Sequence, residues 1–234
     1  MFFGSGPLFF SGDLTKLPIG SRIVSILIKK YLFGLGVIAF AFAILSVSIL
    51  ESSSITYNFG GIPSASAVLG TQTTNVNYQL PNAGTVLPDN PLWSLKALRD
   101  KIWYSITPSP LKKAELALLF SDKRLASAQT LFENKKPNIA ISTLTKGEKY
   151  LETAMAEEQI AKSQGFDTSA FLNTLALASL KHREVIESLM PLVPEDGKPL
   201  VVKTEDYSKN TYKEARDGLN SKGLLVPIDP FDGD

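Results

Sequence analysis

Cysteine is absent from the 234 residues, and histidine occurs once, at His182. Without a thiol there is no disulfide staple, no thiolate metal site and no cysteine nucleophile. With one imidazole, any histidine-based triad must use His182. Strong charge of either sign is also missing: 24 Lys and Arg stand against 23 Asp and Glu, and beyond residue 50 the balance is 20 against 22. That near neutrality leaves no electrostatic footprint for nucleic acid. Charge is lacking altogether from two stretches, 31–50 and 52–88.

The first charge-free stretch is apolar, bracketed by Lys29 and Lys30 before it and Glu51 after it. At roughly 1.5 Å per residue, about 20 helical residues match the ~30 Å hydrocarbon core of a bilayer. Each Leu, Ile, Val or Phe adds roughly −0.3 to −0.6 kcal/mol on the insertion scale, so the run predicts a transmembrane helix over 31–50. Lys16, Arg22, Lys29 and Lys30 precede it against Asp13, whereas only Glu51 follows before Asp89. The positive-inside asymmetry therefore puts residues 1–30 in the cytoplasm and the rest outside, with the lipid bilayer as partner of 31–50. Ala65-Ser66-Ala67 has the form of a signal-peptidase site, which makes cleavage near Ala67 and a secreted domain the alternative.

The stretch 52–88 is rich in Ser, Thr, Asn and Gly and reads as a tether with an r.m.s. span of about 35 Å, with residues 51–80 as its flexible linker. The alternative is that 76–80 form a short strand or extended arm packed on the domain. From residue 81 to 190 the apolar spacing becomes helical, and four helices are predicted.

In the first, Leu92, Leu95, Leu98, Ile102 and Ile106 share a face widened by Trp93 and Trp103. Thr107-Pro108-Ser109-Pro110 stops it, and Ser109 caps the next helix with Pro110 at its first position. There Leu111, Leu118, Leu125 and Phe132 recur every seven residues, with Ala114, Ser121 and Ala128 between them. A turn at Asn134–Pro137 returns the chain into a third helix, where Gly147 implies a neighbour close to the backbone. Gly165 ends it, and Asp167 or Thr168 caps a fourth whose Leu172, Leu175, Ser179, His182, Ile186 and Leu189 follow a 3-4-3-4-3 spacing. The expected architecture is all-α: a single span followed by an antiparallel, extracytoplasmic bundle of about four helices. Residues 191–234 read as a tail with a short polar helix within 204–219, and the extended end 224–230 as either a disordered tail or a strap across the bundle.

Little in this pattern carries chemistry. His182 has Ala178, Ser179, Val185 and Ile186 as its helical neighbours, so a half-buried core histidine with one hydrogen bond is expected. Glu157–Glu158 and Glu184–Glu187 read as solvated faces. The segment Asp229–Asp234 lacks the ligand spacing and distal Glu of a calcium loop. No catalytic residue, metal or cofactor is expected.

The stretch from Leu87 through Pro88, Asp89, Asn90, Pro91, Leu92, Trp93, Ser94, Leu95, Lys96, Ala97, Leu98, Arg99, Asp100 and Lys101 to Ile102 resembles a motif of membrane-linked bacterial and archaeal proteins. The pair Ala114-Glu115 and the run Asp122–Ala128 are similar to its second half. The family is domain of unknown function fifty-six sixty-seven, and the resemblance covers about residues 78–155. It implies an exported helical domain beside a membrane span, with no established catalytic residues. The aromatic here is Trp93 where tyrosine is commoner, which removes a phenolic hydroxyl. Read physically, Pro88 and Pro91 rigidify the approach, Asp89 or Asn90 caps, and Leu92, Trp93 and Leu95 dock the helix. Arg99, Asp100, Glu115 and Arg124 are candidates for ion pairs between the first two helices, or for a small anion or peptide site around Arg99 and Arg124. The functional expectation is a non-enzymatic cell-envelope interaction module with a protein partner. A ligand- or metal-sensing bundle signalling across the membrane is the alternative.

Overall fold

The computed structural model describes residues 30, 31, 33–36 and 76–231. The chain divides into two compact units, Met1–Gly61 and Ile62–Asp234. In the first unit the described residues are helical. Among the described residues no helix is long and apolar enough to cross a membrane. The span expected over 31–50 falls mostly outside them, as do the cytoplasmic segment before it, most of the linker and Ala65-Ser66-Ala67.

The second unit is all-helical among its described residues. It comprises α1 (Trp93–Ile106), α2 (Pro110–Glu133), α3 (Pro137–Ser163), α4 (Ser169–Leu189), a 3-10 turn (Met190–Leu192) and α5 (Lys198–Ser221). Each boundary has a local cause. Ser109 caps α2 by accepting from the Lys112 N–H at 3.5 Å, and Pro110 takes the position where a missing N–H costs nothing. Lys135 adopts φ 58° in the turn before α3. Gly165 at φ 84° ends α3 in the left-handed region that side chains avoid. Asn90, rather than Asp89, turns the chain into α1, its side-chain oxygen accepting from the Leu92 N–H at 2.9 Å.

α2 and α3 form a long antiparallel hairpin, and α4 and α5 pack along it. Gly147 shows why the hairpin closes so tightly: a Cβ there would stand 3.1 Å from Arg124 Cβ and 3.4 Å from the Ser121 carbonyl. Ser121 Oγ donates to the Gly147 carbonyl at 2.8 Å across the contact.

Two apolar clusters fill the interior. Leu118, Leu151, Leu172, Leu175 and Leu219 belong to one, and Leu125, Leu131, Leu144, Ile186 and Val201 to the other. Along α2, α3 and α4 the change of cluster falls at one polar level, occupied by Asp122, Glu148 and His182.

Two expectations are corrected here. The bundle does not end at 190: α5 is a full partner whose Val201, Thr204, Ser208, Tyr212, Ala215 and Leu219 are buried, and the chain beyond it returns to bury Phe231. Residues 76–80 are not linker but an arm on the bundle, with Val76 buried and Tyr78 and Leu80 packed against the clusters.

Candidate functional site

His182 sits where α2, α3 and α4 meet, with no exposed surface. Its Nδ1 lies 2.7 Å from Glu148 Oε1 and its Nε2 2.9 Å from Asp122 Oδ1. Asp122 is also 99% covered at its side chain, and its second oxygen accepts from the Tyr78 hydroxyl at 2.6 Å. Burial by itself pushes an imidazole down. The Glu148 and Asp122 carboxylates more than offset that and hold His182 up at about 10. The imidazolium thus bridges two acids, and Glu148 Oε2 has no hydrogen-bond partner among the described residues.

The half-buried histidine with one hydrogen bond is therefore corrected to a fully buried one with two. Its partners lie 34 and 60 residues away in sequence, beyond the reach of helical spacing. Because they occupy opposite nitrogens of one ring, the two carboxylates cannot converge on a cation. Among the described residues no group of His, Asp and Glu can hold a metal ion.

The arm is fastened to this level. Besides the Tyr78 hydroxyl, the Val76 N–H donates to Glu184 Oε2 at 2.7 Å, and Lys181 pairs with the same carboxylate at 2.6 Å. Glu184 is thus a fastening point rather than a solvated face.

The motif residues around α1 make a second assembly. Pro88 to Leu92 form turns before the helix, and Asp89 pairs with Lys136 in the α2–α3 turn. Trp93, Asp100, Trp103 and Tyr104 face the bundle. Trp103 meets Phe120 edge to face at 6.1 Å, and the Tyr104 hydroxyl donates to Glu157 at 2.6 Å. Burial and the Glu157 carboxylate hold that phenol above its usual range.

Leu92 and Leu95, expected to dock the helix, are instead 61% and 59% exposed, with Leu98 and Ile106 beside them. Lys96 Nζ donates to the Val86 and Ala83 carbonyls at 3.1 and 3.4 Å and stands 4.7 Å from the Trp93 ring centre. The pairs expected between the first two helices form within each: Arg99 with Asp100 at 2.7 Å, Glu115 with Lys112 at 2.9 Å. Arg124 lies between rings, 4.3 Å from the centre of Tyr150 and 6.0 Å from that of Trp93. Burial lowers its pKa, against the opposing charge of Asp100, as it does those of Lys96 and Lys123.

Residues 85–196 match the family model described as Domain of unknown function (DUF5667). The matched segment runs from the loop before α1 to the turn before α5. It holds the motif, Asp122, Glu148 and His182, and it leaves out Tyr78 and α5. No curated protein and no solved structure matches the chain.

Proposed function

We propose that the chain is a membrane-anchored, extracytoplasmic helical module that works by contact with envelope proteins rather than by catalysis. The observation that carries this reading is the state of His182. Both ring nitrogens are already engaged by carboxylates and no part of the ring meets solvent, so neither of its protons is within reach of a substrate. The exposed feature of the motif is instead an apolar helix face, edged by the half-buried Lys96 and Arg99, which suits recognition. The apolar run 31–50 with its basic flank supports the anchor and its orientation. Comparing cross-linked envelope proteins from cells with the full chain and with a chain lacking 76–231 tests the module. Loss of a defined partner is expected; an unchanged set overturns the proposal. Mass determination of the mature chain separates the anchor from a form cleaved near Ala67.

A sensing bundle is the second reading, and the arm favours it. Tyr78 ties the segment that continues back toward residue 50 to the polar level inside the bundle, so a ligand-driven change there has a covalent route to the linker. Titration calorimetry of the full chain with Zn²⁺, Ca²⁺ and inorganic phosphate tests it. Saturable heat supports sensing, and its absence with all three overturns it for those ligand classes.

A further inference from the structure

α1 carries hydrophobic side chains on the face turned away from the bundle. Leu92, Leu95, Leu98 and Ile106 are 53–61% exposed. At roughly 100° per residue, Leu95, Leu98, Ile102 and Ile106 fall within an arc of about 80°. Single exposed leucines are ordinary, but a row running the length of one helix is a patch that marks a contact. On the same helical wheel Arg99 flanks the row on one side and Lys101 on the other. Behind Arg99 lie Lys96, Lys123 and Arg124, and Asp100 is the carboxylate whose charge acts on all three. Arg124 is buried and Arg99 pairs with Asp100, but Lys96 and Lys123 are half-buried and Lys101 is exposed, so the edges of the row carry a local excess of positive charge in a chain whose formal total is +1.

We propose that α1 docks on an anionic lipid surface, its leucine row at the acyl-chain boundary and the neighbouring cations at the headgroup phosphates. An apolar row flanked by Lys and Arg is the pattern of a helix that lies in the plane of a membrane interface. Charge decides against a second copy as occupant. A two-fold pairing of the rows would bring each cationic edge near its own image, whereas anionic headgroups complement it. Proximity points the same way and rests on the anchored reading of 31–50. Only 25 residues, 51–75, separate that run from Val76 of the arm, a length of chain that spans at most about 90 Å fully extended and so keeps a bilayer within reach.

Because the chain has no cysteine, a Ser94→Cys substitution beside the row accepts one environment-sensitive fluorophore. The labelled full chain is reconstituted in phosphatidylcholine vesicles with or without phosphatidylglycerol. Emission is expected to rise severalfold in the anionic vesicles and to fall back as salt is raised. Leu95→Glu with Leu98→Glu abolishes the rise without changing the melting temperature, since both side chains are exposed. Lys101→Glu with Lys123→Glu reduces it at low salt. An equal signal in both vesicle types, a signal that survives Leu95→Glu with Leu98→Glu, or a rise that follows protein concentration without lipid overturns the proposal. Alkaline carbonate extraction reads the anchor separately: release of the chain with the label response intact defeats the anchor but not α1, and retention without a response does the reverse.

Discussion

His182 is held in an apolar core by the two carboxylates that bond its opposite nitrogens, and the arrangement has a definite pH signature. An ordinary histidine titrates near 6.5, and this one is raised to about 10 in the folded chain. The folded state therefore binds the proton more tightly than the unfolded one. The stability this contributes is complete below about pH 6.5 and drains away as pH rises through 10. Thermal melts are expected to decline across that window, and His182→Gln to remove that part of the decline. At pH 6 the same variant leaves two buried carboxylates facing each other without a cation. A loss of about 3–5 kcal/mol in urea denaturation is expected. Replacing the whole set, with Asp122→Leu, Glu148→Met and His182→Leu, removes every charge at once. Its stability is expected to lie at or above that of the native chain, by as much as about 4 kcal/mol. If the triple variant is weaker than the native chain, the level contributes net stability rather than only fixing which layers of the three helices meet.

Elements differ in how openly the sequence announces them. α4 buries the face its spacing predicts, because Leu172, Leu175, Ser179, His182, Ile186 and Leu189 contrast with polar neighbours. α5 hides its length because its inward face is partly hydroxyl: Thr204 is buried yet bonds the Leu200 carbonyl and lies 3.2 Å from the Thr145 hydroxyl. A polar residue that satisfies itself against its own helix or its neighbour's hydroxyl gives no apolar period to read. α1 misleads in the other direction. Its strongest apolar row points outward, while the face that packs includes Asp100, buried beside Arg99. The partners of His182 were illegible because they come from two other helices. Gly147 was legible, since a helix keeps a glycine at its centre only for a reason, and the α2 backbone is that reason. Gly147→Ala gains about 1 kcal/mol of helix propensity but places a Cβ against the Ser121 carbonyl and Arg124 Cβ. Overpacking against a helix backbone costs about 1–3 kcal/mol. A net loss near 1 kcal/mol is expected from denaturant melts, and a gain would show that the two helices can part.

At the scale of the second unit, two non-helical segments lie across the bundle and join its helices. The arm engages α2 through Tyr78 and α4 through Val76. Beyond α5 the chain turns at Gly223, φ 66°, and runs back so that the Pro227 carbonyl accepts from the Tyr212 hydroxyl at 2.8 Å. Phe231 then closes under Arg183, whose guanidinium carbon is 4.2 Å from the ring centre. Arg183 also reaches Glu187 and Glu205 at 3.1 and 3.3 Å, so it stays paired when the strap is gone. Ending the chain after Leu224 therefore removes packing without stranding a charge. Burial of Phe231 is worth about 1.5–3 kcal/mol and the Tyr212 hydrogen bond about 0.5–1.5 kcal/mol. Part of the second sum returns when water reaches the freed hydroxyl, so urea denaturation should give a loss of about 2–4 kcal/mol. Hydrogen exchange should place that loss mainly in α5, which holds the strap through Tyr212, and spare the α2–α3 hairpin. Tyr78→Phe makes the converse case: exchange should quicken at the Val76 amide while α5 keeps its protection. If both variants loosen the same amides equally, the arm and the strap are one cooperative unit rather than two separate fastenings.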